Sequence, residues 1–211
     1  MMSTASAPST NGERLSRDDW IDAARRALVR GGVAEVKVDR LATELKVTRG
    51  SFYWHFTSRA DLLDALLDSW RHTNTEPFLN VLGRNQDQPA VQLQDFFMIW
   101  VEEQPFDPAC DSALRDWART SPRVARLVRE ADETRMGVLR TIFAAFGYET
   151  LEAEVRARVT YYHQVGYYAM RVSESQQARG KLFATYFKVL SGVPLPNLPG
   201  PTGSQPKRRR V

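Results

Sequence analysis

From Ser16 to Ser191 the apolar residues return mostly every three or four positions, and signals for a strand are nearly absent. That spacing stacks them on one stripe of a helix, so an all-α chain of about nine helices is expected. The punctuation between stripes agrees. Ser16-Arg17-Asp18-Asp19 is a capping-box pattern and opens a helix carrying Trp20, Ala24, Ala27 and Leu28, with Gly31-Gly32 as its stop. A short helix over 38–45 and another over 49–56 follow, the latter capped by Thr48. Ser58-Arg59-Ala60-Asp61, a second capping box, starts a long helix with Leu62, Leu63, Leu66, Leu67 and Trp70 on its stripe, before a polar connection at 83–89. Further helices are predicted over 89–104, 109–119, 122–146, 150–172 and 174–191. Their stops are Pro105 with Pro108, the pair Ser121-Pro122, Gly147 and Ser173.

The two ends differ from this pattern. Residues 1–14 are rich in Ser, Thr, Ala and Pro and read as a disordered arm without the apolar run of a signal peptide. Residues 193–211 read as a disordered Pro/Gly-rich basic tail. The net charge of +4 equals the four cations Lys207 to Arg210. Apart from that tail, residues 12–60 carry a basic excess and residues 61–206 an acidic one, so a polyanion partner would be met near the N-terminus or by the tail. The terminal PKRRRV has two readings: a tail adding salt-sensitive DNA affinity, or a short nuclear-import signal introduced by engineering.

Several function classes are disfavoured. No apolar run approaches the length of a membrane span, and the single Cys110 rules out an internal disulfide framework, in keeping with a cytoplasmic location. His55, His72 and His163 lack metal-ligand spacing with one another or with Cys110, and no glycine-rich phosphate loop or nucleophile elbow occurs. Neither an enzyme, nor a cofactor, nor a metal site is expected.

The densest chemistry lies in VTRGSFYWHF, residues 47–56. With the preceding VDRLATELK it forms a helix, a turn and a second helix, the pattern of a helix-turn-helix whose second helix reads a DNA groove. Thr48, Arg49 and Ser51 place donors at a helix N-terminus, where phosphate is welcome, and Gly50 lets backbone approach closely. Arg49 can bond a guanine or a phosphate. Phe52 and Phe56, four apart, face the interior, whereas Tyr53 lies on the groove side and Trp54 and His55 toward the flanks.

Residues 16–63 resemble the TetR family of bacterial transcriptional regulators. The resemblance rests on Leu41-Ala42, on Val47-Thr48-Arg49-Gly50-Ser51-Phe52-Tyr53-Trp54-His55-Phe56, and on Arg59-Ala60-Asp61-Leu62. It implies that Lys37, Thr48, Arg49, Gly50, Ser51, Tyr53, Trp54, His55 and Arg59 contact operator DNA. Two positions depart from the pattern: Lys46 stands where glycine is common in the turn, so it must take a left-handed backbone or shift the turn, and Lys37 replaces a capping Thr or Ser. The implied organisation is a helix-turn-helix domain over 15–60 and a helical ligand-binding and dimerisation domain over 61–192.

The rest of the chain is compatible with that role. The stripes of 150–172 and 174–191 suit a homodimer interface that includes Val159, Tyr162, Gly166, Phe183, Tyr186 and Leu190. An aromatic stock including Trp70, Phe97, Trp100, Trp117, His163 and Tyr167 suits a pocket for an aromatic or amphipathic effector. The reading is a homodimeric repressor released from operator DNA when an effector shifts residues 58–80 and changes the separation of the two reading helices. Two alternatives stand beside it: a ligand-independent activator or architectural DNA binder of the same fold, and a small-molecule-binding helical protein with a vestigial DNA-binding motif.

Overall fold

The computed structural model describes residues 15–196, so the arm and most of the tail lie outside the described residues. Within them the chain is all-α: α1 (Arg17–Gly31), a 3-10 turn (Val33–Glu35), α2 (Val38–Glu44), α3 (Arg49–Phe52), α4 (Arg59–Asn74), α5 (Glu76–Val81), α6 (Pro89–Glu102), α7 (Pro108–Ala118), α8 (Pro122–Ala145), α9 (Thr150–Ala169) and α10 (Gln176–Ser191). Among the described residues no helix is long and apolar enough to cross a membrane. Contacts divide the described residues into two compact units, one up to Trp70 and one from Arg71 onward.

The N-terminal unit starts with a complete capping box. The Ser16 hydroxyl accepts from the Asp19 N–H, and the Asp19 carboxylate accepts from the Ser16 N–H at 2.7 Å. The Ser16 hydroxyl also donates to that carboxylate at 2.7 Å, and this bond, with the one from the Ser16 N–H, holds the Asp19 carboxyl below its ordinary pKa. Trp20, Ala24, Ala27 and Leu28 are fully buried, as their spacing predicts. Gly32, at φ +76°, ends α1 in a conformation that glycine adopts without strain. Glu44 of α2 ties back to α1, bonding Arg26 at 2.9 Å and Arg30 at 3.1 Å.

Lys46 does take the left-handed conformation, with φ +56°. The Lys46 N–H bonds the Thr43 carbonyl and the Val47 N–H reaches back to Ala42. This is the Schellman closure of a helix, with lysine in the seat that glycine favours. Relief of that left-handed strain, about 1 kcal/mol, outweighs the added freedom of glycine in the unfolded chain. Lys46→Gly is therefore expected to stabilise the N-terminal unit by about 0.5 kcal/mol, read as a higher guanidinium midpoint. An unchanged or lower midpoint would show that the lysine side chain offsets the strain.

In the C-terminal unit the predicted helices over 89–104, 109–119, 122–146, 150–172 and 174–191 are all present, some of them shorter by a turn or less. Ser121 caps α8 with Pro122 in its first turn. One break departs from the expected pattern: the long helix after Ser58 stops at Asn74 and restarts as α5. Pro77 explains it, since proline lacks an N–H and its ring clashes with the carbonyl four residues earlier. Asn74 makes use of the break. Its side chain donates to the Asp107 carbonyl at 2.9 Å and accepts from the Asp107 N–H at 3.3 Å. The core of this unit is aromatic, with Phe78, Phe96, Trp100 and Phe106 joined by ring contacts and Phe97 packed on Phe187.

Candidate functional site

The anchor beneath VTRGSFYWHF is built from two rings. Phe52 is fully buried, edge-on to Trp20 of α1 at 5.2 Å between centroids and stacked on Phe56 at 5.4 Å. The helix over 49–56 is shorter than predicted. Regular α-helix ends at Phe52, and the N–H groups of Tyr53, Trp54 and His55 then bond three residues back, a tighter winding. Thr48 occupies the N-cap position in extended conformation, yet its hydroxyl makes no capping hydrogen bond. The cap expected there is absent, and α3 depends on its buried rings.

Above the anchor, polar and aromatic groups face outward. Thr48, Arg49 and Gly50 are exposed, and Ser51 and His55 are half-buried. Tyr53 is 54% exposed and Trp54 84%. The Arg49 guanidinium lies between the Tyr53 hydroxyl at 3.4 Å and the Asp39 carboxylate at 3.5 Å. Asp39 sits in the first turn of α2. Lys37 is exposed at the N-cap of α2 and makes no side-chain cap, as its type implies.

Arg59 is placed differently from the others. Its Nε donates to the Val36 carbonyl at 2.5 Å and its Nη2 to the Val33 carbonyl at 2.7 Å, so it straps the 3-10 turn to α4. Ser58 caps α4 through the Asp61 N–H, while the Asp61 carboxylate accepts from Thr57 and is held below its ordinary pKa by that bond.

In the C-terminal unit, Phe97, Trp100, His163 and Tyr167 come together around a cleft of about 80 Å³ between α6, α9 and α10. Trp70 falls in the other unit, and Trp117 lines neither this cleft nor the cavity beside it. That second cavity, about 340 Å³, shares Trp100 and Gln164 with the cleft and is lined mainly by residues of α7, α8 and α9.

At one side of it stands a network of ionised groups that sequence reasoning missed. Arg135 of α8 is 1% exposed and bonds the Asp111 carboxylate at 3.0 Å, the Tyr161 hydroxyl at 3.1 Å and the Thr75 hydroxyl at 3.2 Å. Arg115 bonds Asp132 through two nitrogens at 2.6 and 3.0 Å, and Asp111 at 3.0 Å. Tyr161 donates to Asp132 at 2.6 Å. Burial pushes the Tyr161 phenol well above its ordinary pKa, so it stays protonated and able to donate. Burial also disfavours the charged form of both arginines, but the neighbouring aspartates more than offset it. The Asp111-to-Arg115 spacing of four was a visible helical pair. Nothing in the sequence paired either residue with Arg135.

The faces nominated for dimerisation divide. Leu151, Val155, Val159 and Tyr162 form an exposed apolar stripe on α9, and Leu182, Tyr186 and Val189 another on α10. Gly166 has no atom within 4 Å of where a Cβ would stand. Phe183 and Leu190, in contrast, pack against the core of their own unit.

A short helix held on buried rings, its polar face open and preceded by a helix and a tight turn, is the geometry of a helix-turn-helix. Residues 21–66 match the family described as "Bacterial regulatory proteins, tetR family". The chain is 44% identical over 59 residues to the HTH-type transcriptional regulator TtgR of Pseudomonas putida, 28% of each chain. It is 37% identical over 76 residues to the regulator SrpR of Pseudomonas putida, 36% of each chain. The matched stretches thus span about a third or less of these relatives. The crystal structure of a transcriptional regulator from Rhodococcus sp. Rha1 shares the fold, with a TM-score of 0.53 at 20% identity over 84% of this chain and 92% of that one. Over its N-terminal helices the chain is thus similar to regulators of the TetR family.

Proposed function

We propose that the protein is a sequence-specific transcriptional regulator that binds operator DNA as a homodimer, represses there, and is released by a small-molecule effector. The observation that carries this is the outward face of Arg49, Tyr53 and Trp54 on the anchored Phe52 and Phe56. In this reading residues 15–60 bind DNA and residues 61–192 dimerise and hold the effector. Lys37, Thr48, Gly50, Ser51 and His55 would add backbone contacts around Arg49, and Arg59 would chiefly position the 3-10 turn. The exposed apolar stripes of α9 and α10 are surface of the kind a two-fold interface would bury, and a dimer matches paired half-sites. Effector binding shifts the population toward a state of low operator affinity. The site of action would be the bacterial cytoplasm.

Selection of bound sequences from random DNA, followed by gel shift at graded salt, tests the reading. No specific complex at any salt would end it, and a complex indifferent to every effector tried would favour the ligand-independent binder. Arg49→Ala is expected to weaken operator binding by about 1–3 kcal/mol per half-site without lowering stability. The Arg49–Asp39 pair is exposed, and such pairs contribute little, so DNA can take Arg49 readily. Asp39→Asn should therefore tighten binding to random DNA and to the operator alike in the same gel shift, since it removes a negative charge from the face that would meet phosphate. Unchanged operator affinity in Arg49→Ala would refute this account of α3.

A further inference from the structure

We infer that the larger cavity beside Trp100 is a binding site for a small organic anion with an aromatic or apolar body, its charge received by Arg119 and Arg171. The inference builds on the effector reading and specifies the chemical class and the residues. At about 340 Å³ the cavity falls within the range that holds a small molecule, whereas the 80 Å³ cleft across Trp100 does not. The rings of Trp100, Phe106 and Tyr168 supply apolar wall. Arg115 and Arg135 are matched by Asp111 and Asp132, two cations against two anions joined by direct bonds. Their charges close on one another and leave little for a ligand.

The remaining charged lining residues are Arg119, Arg171 and Asp116, an excess of one positive charge. Arg119 and Arg171 are exposed, so they stand at the open side, and neither forms a side-chain hydrogen bond or ion pair among the described residues. Arg171 follows α9 in a left-handed turn, with φ +53°. Low-dielectric walls beside an unpaired positive pair concentrate field on an entering anion and repel a cation. A carboxylate also meets the paired N–H geometry of a guanidinium.

The test uses the full chain and three acids of increasing body, benzoate, 1-naphthoate and 4-phenylbenzoate, each against its neutral amide, by titration calorimetry. At least one acid is expected to bind about ten-fold more tightly than its amide. Arg119→Ala with Arg171→Ala should abolish that preference while leaving amide affinity and helical content unchanged. Equal binding of acid and amide, a preference that survives the double substitution, or binding by none of the six overturns the proposal. Gel shift with operator DNA separates it from the effector reading. An acid that binds through the two arginines yet leaves the DNA complex intact supports the site and counts against its being the effector site. Release by compounds indifferent to Arg119 and Arg171 supports the effector reading and overturns the site as the place of release.

Discussion

Phe52→Ala is expected to destabilise the N-terminal unit by about 3–5 kcal/mol and to abolish specific DNA binding. The ring is fully buried between Trp20 and Phe56, and its loss leaves a cavity that four-residue α3 cannot collapse to fill. No side-chain cap holds α3 in its place. A unit of this size has a total stability of only several kcal/mol, so the substitution consumes most of it. The measurement is two-fold: circular dichroism against denaturant and gel shift on the selected operator. Arg49→Ala provides the contrast, losing DNA but keeping the melting curve. A Phe52→Ala protein that melted like the parent would show that the anchor is elsewhere.

The second large effect is expected at Arg135. Arg135→Ala should cost about 3–5 kcal/mol, because it leaves Asp111 and Asp132 facing the single cation Arg115 in a buried site. Most of that cost is the uncompensated charge, not the lost bonds. Arg135→Met combined with Asp111→Asn should therefore recover a large part of it, since one cation then faces one anion again. Chemical denaturation of the two variants checks this. A double variant no more stable than the single one would mean that the packing of the guanidinium on Phe78 and Phe106 carries the effect.

The parts of this molecule legible in its sequence are those written in neighbouring residues. Ser16 with Asp19, Ser121 with Pro122 and the stop at Gly32 are local signals, and the helices begin and end near them. The strain at Lys46 was legible for the same reason: one turn has one seat for a left-handed residue. What escaped depends on distance along the chain. Arg135 meets Asp111 across 24 residues, and Tyr161 meets Asp132 across 29. A charged residue on a helix gives no sign of burial until its partners arrive from other helices. Arg59 escaped likewise, since its carbonyl partners lie 23 and 26 residues upstream. The division at Asn74 follows from a single residue, Pro77, set in an apolar pattern that otherwise continues across it.

The exposure of Trp54 has an optical consequence. The chain holds five tryptophans; Trp20, Trp70 and Trp100 are buried, Trp117 is half-buried, and Trp54 stands almost wholly in solvent. Its indole therefore dominates the red edge of the emission and is the first to meet a water-soluble quencher. It also sits on the face assigned to DNA. The protein thus carries an intrinsic fluorophore at that face, separable by wavelength and quenching from those of the core.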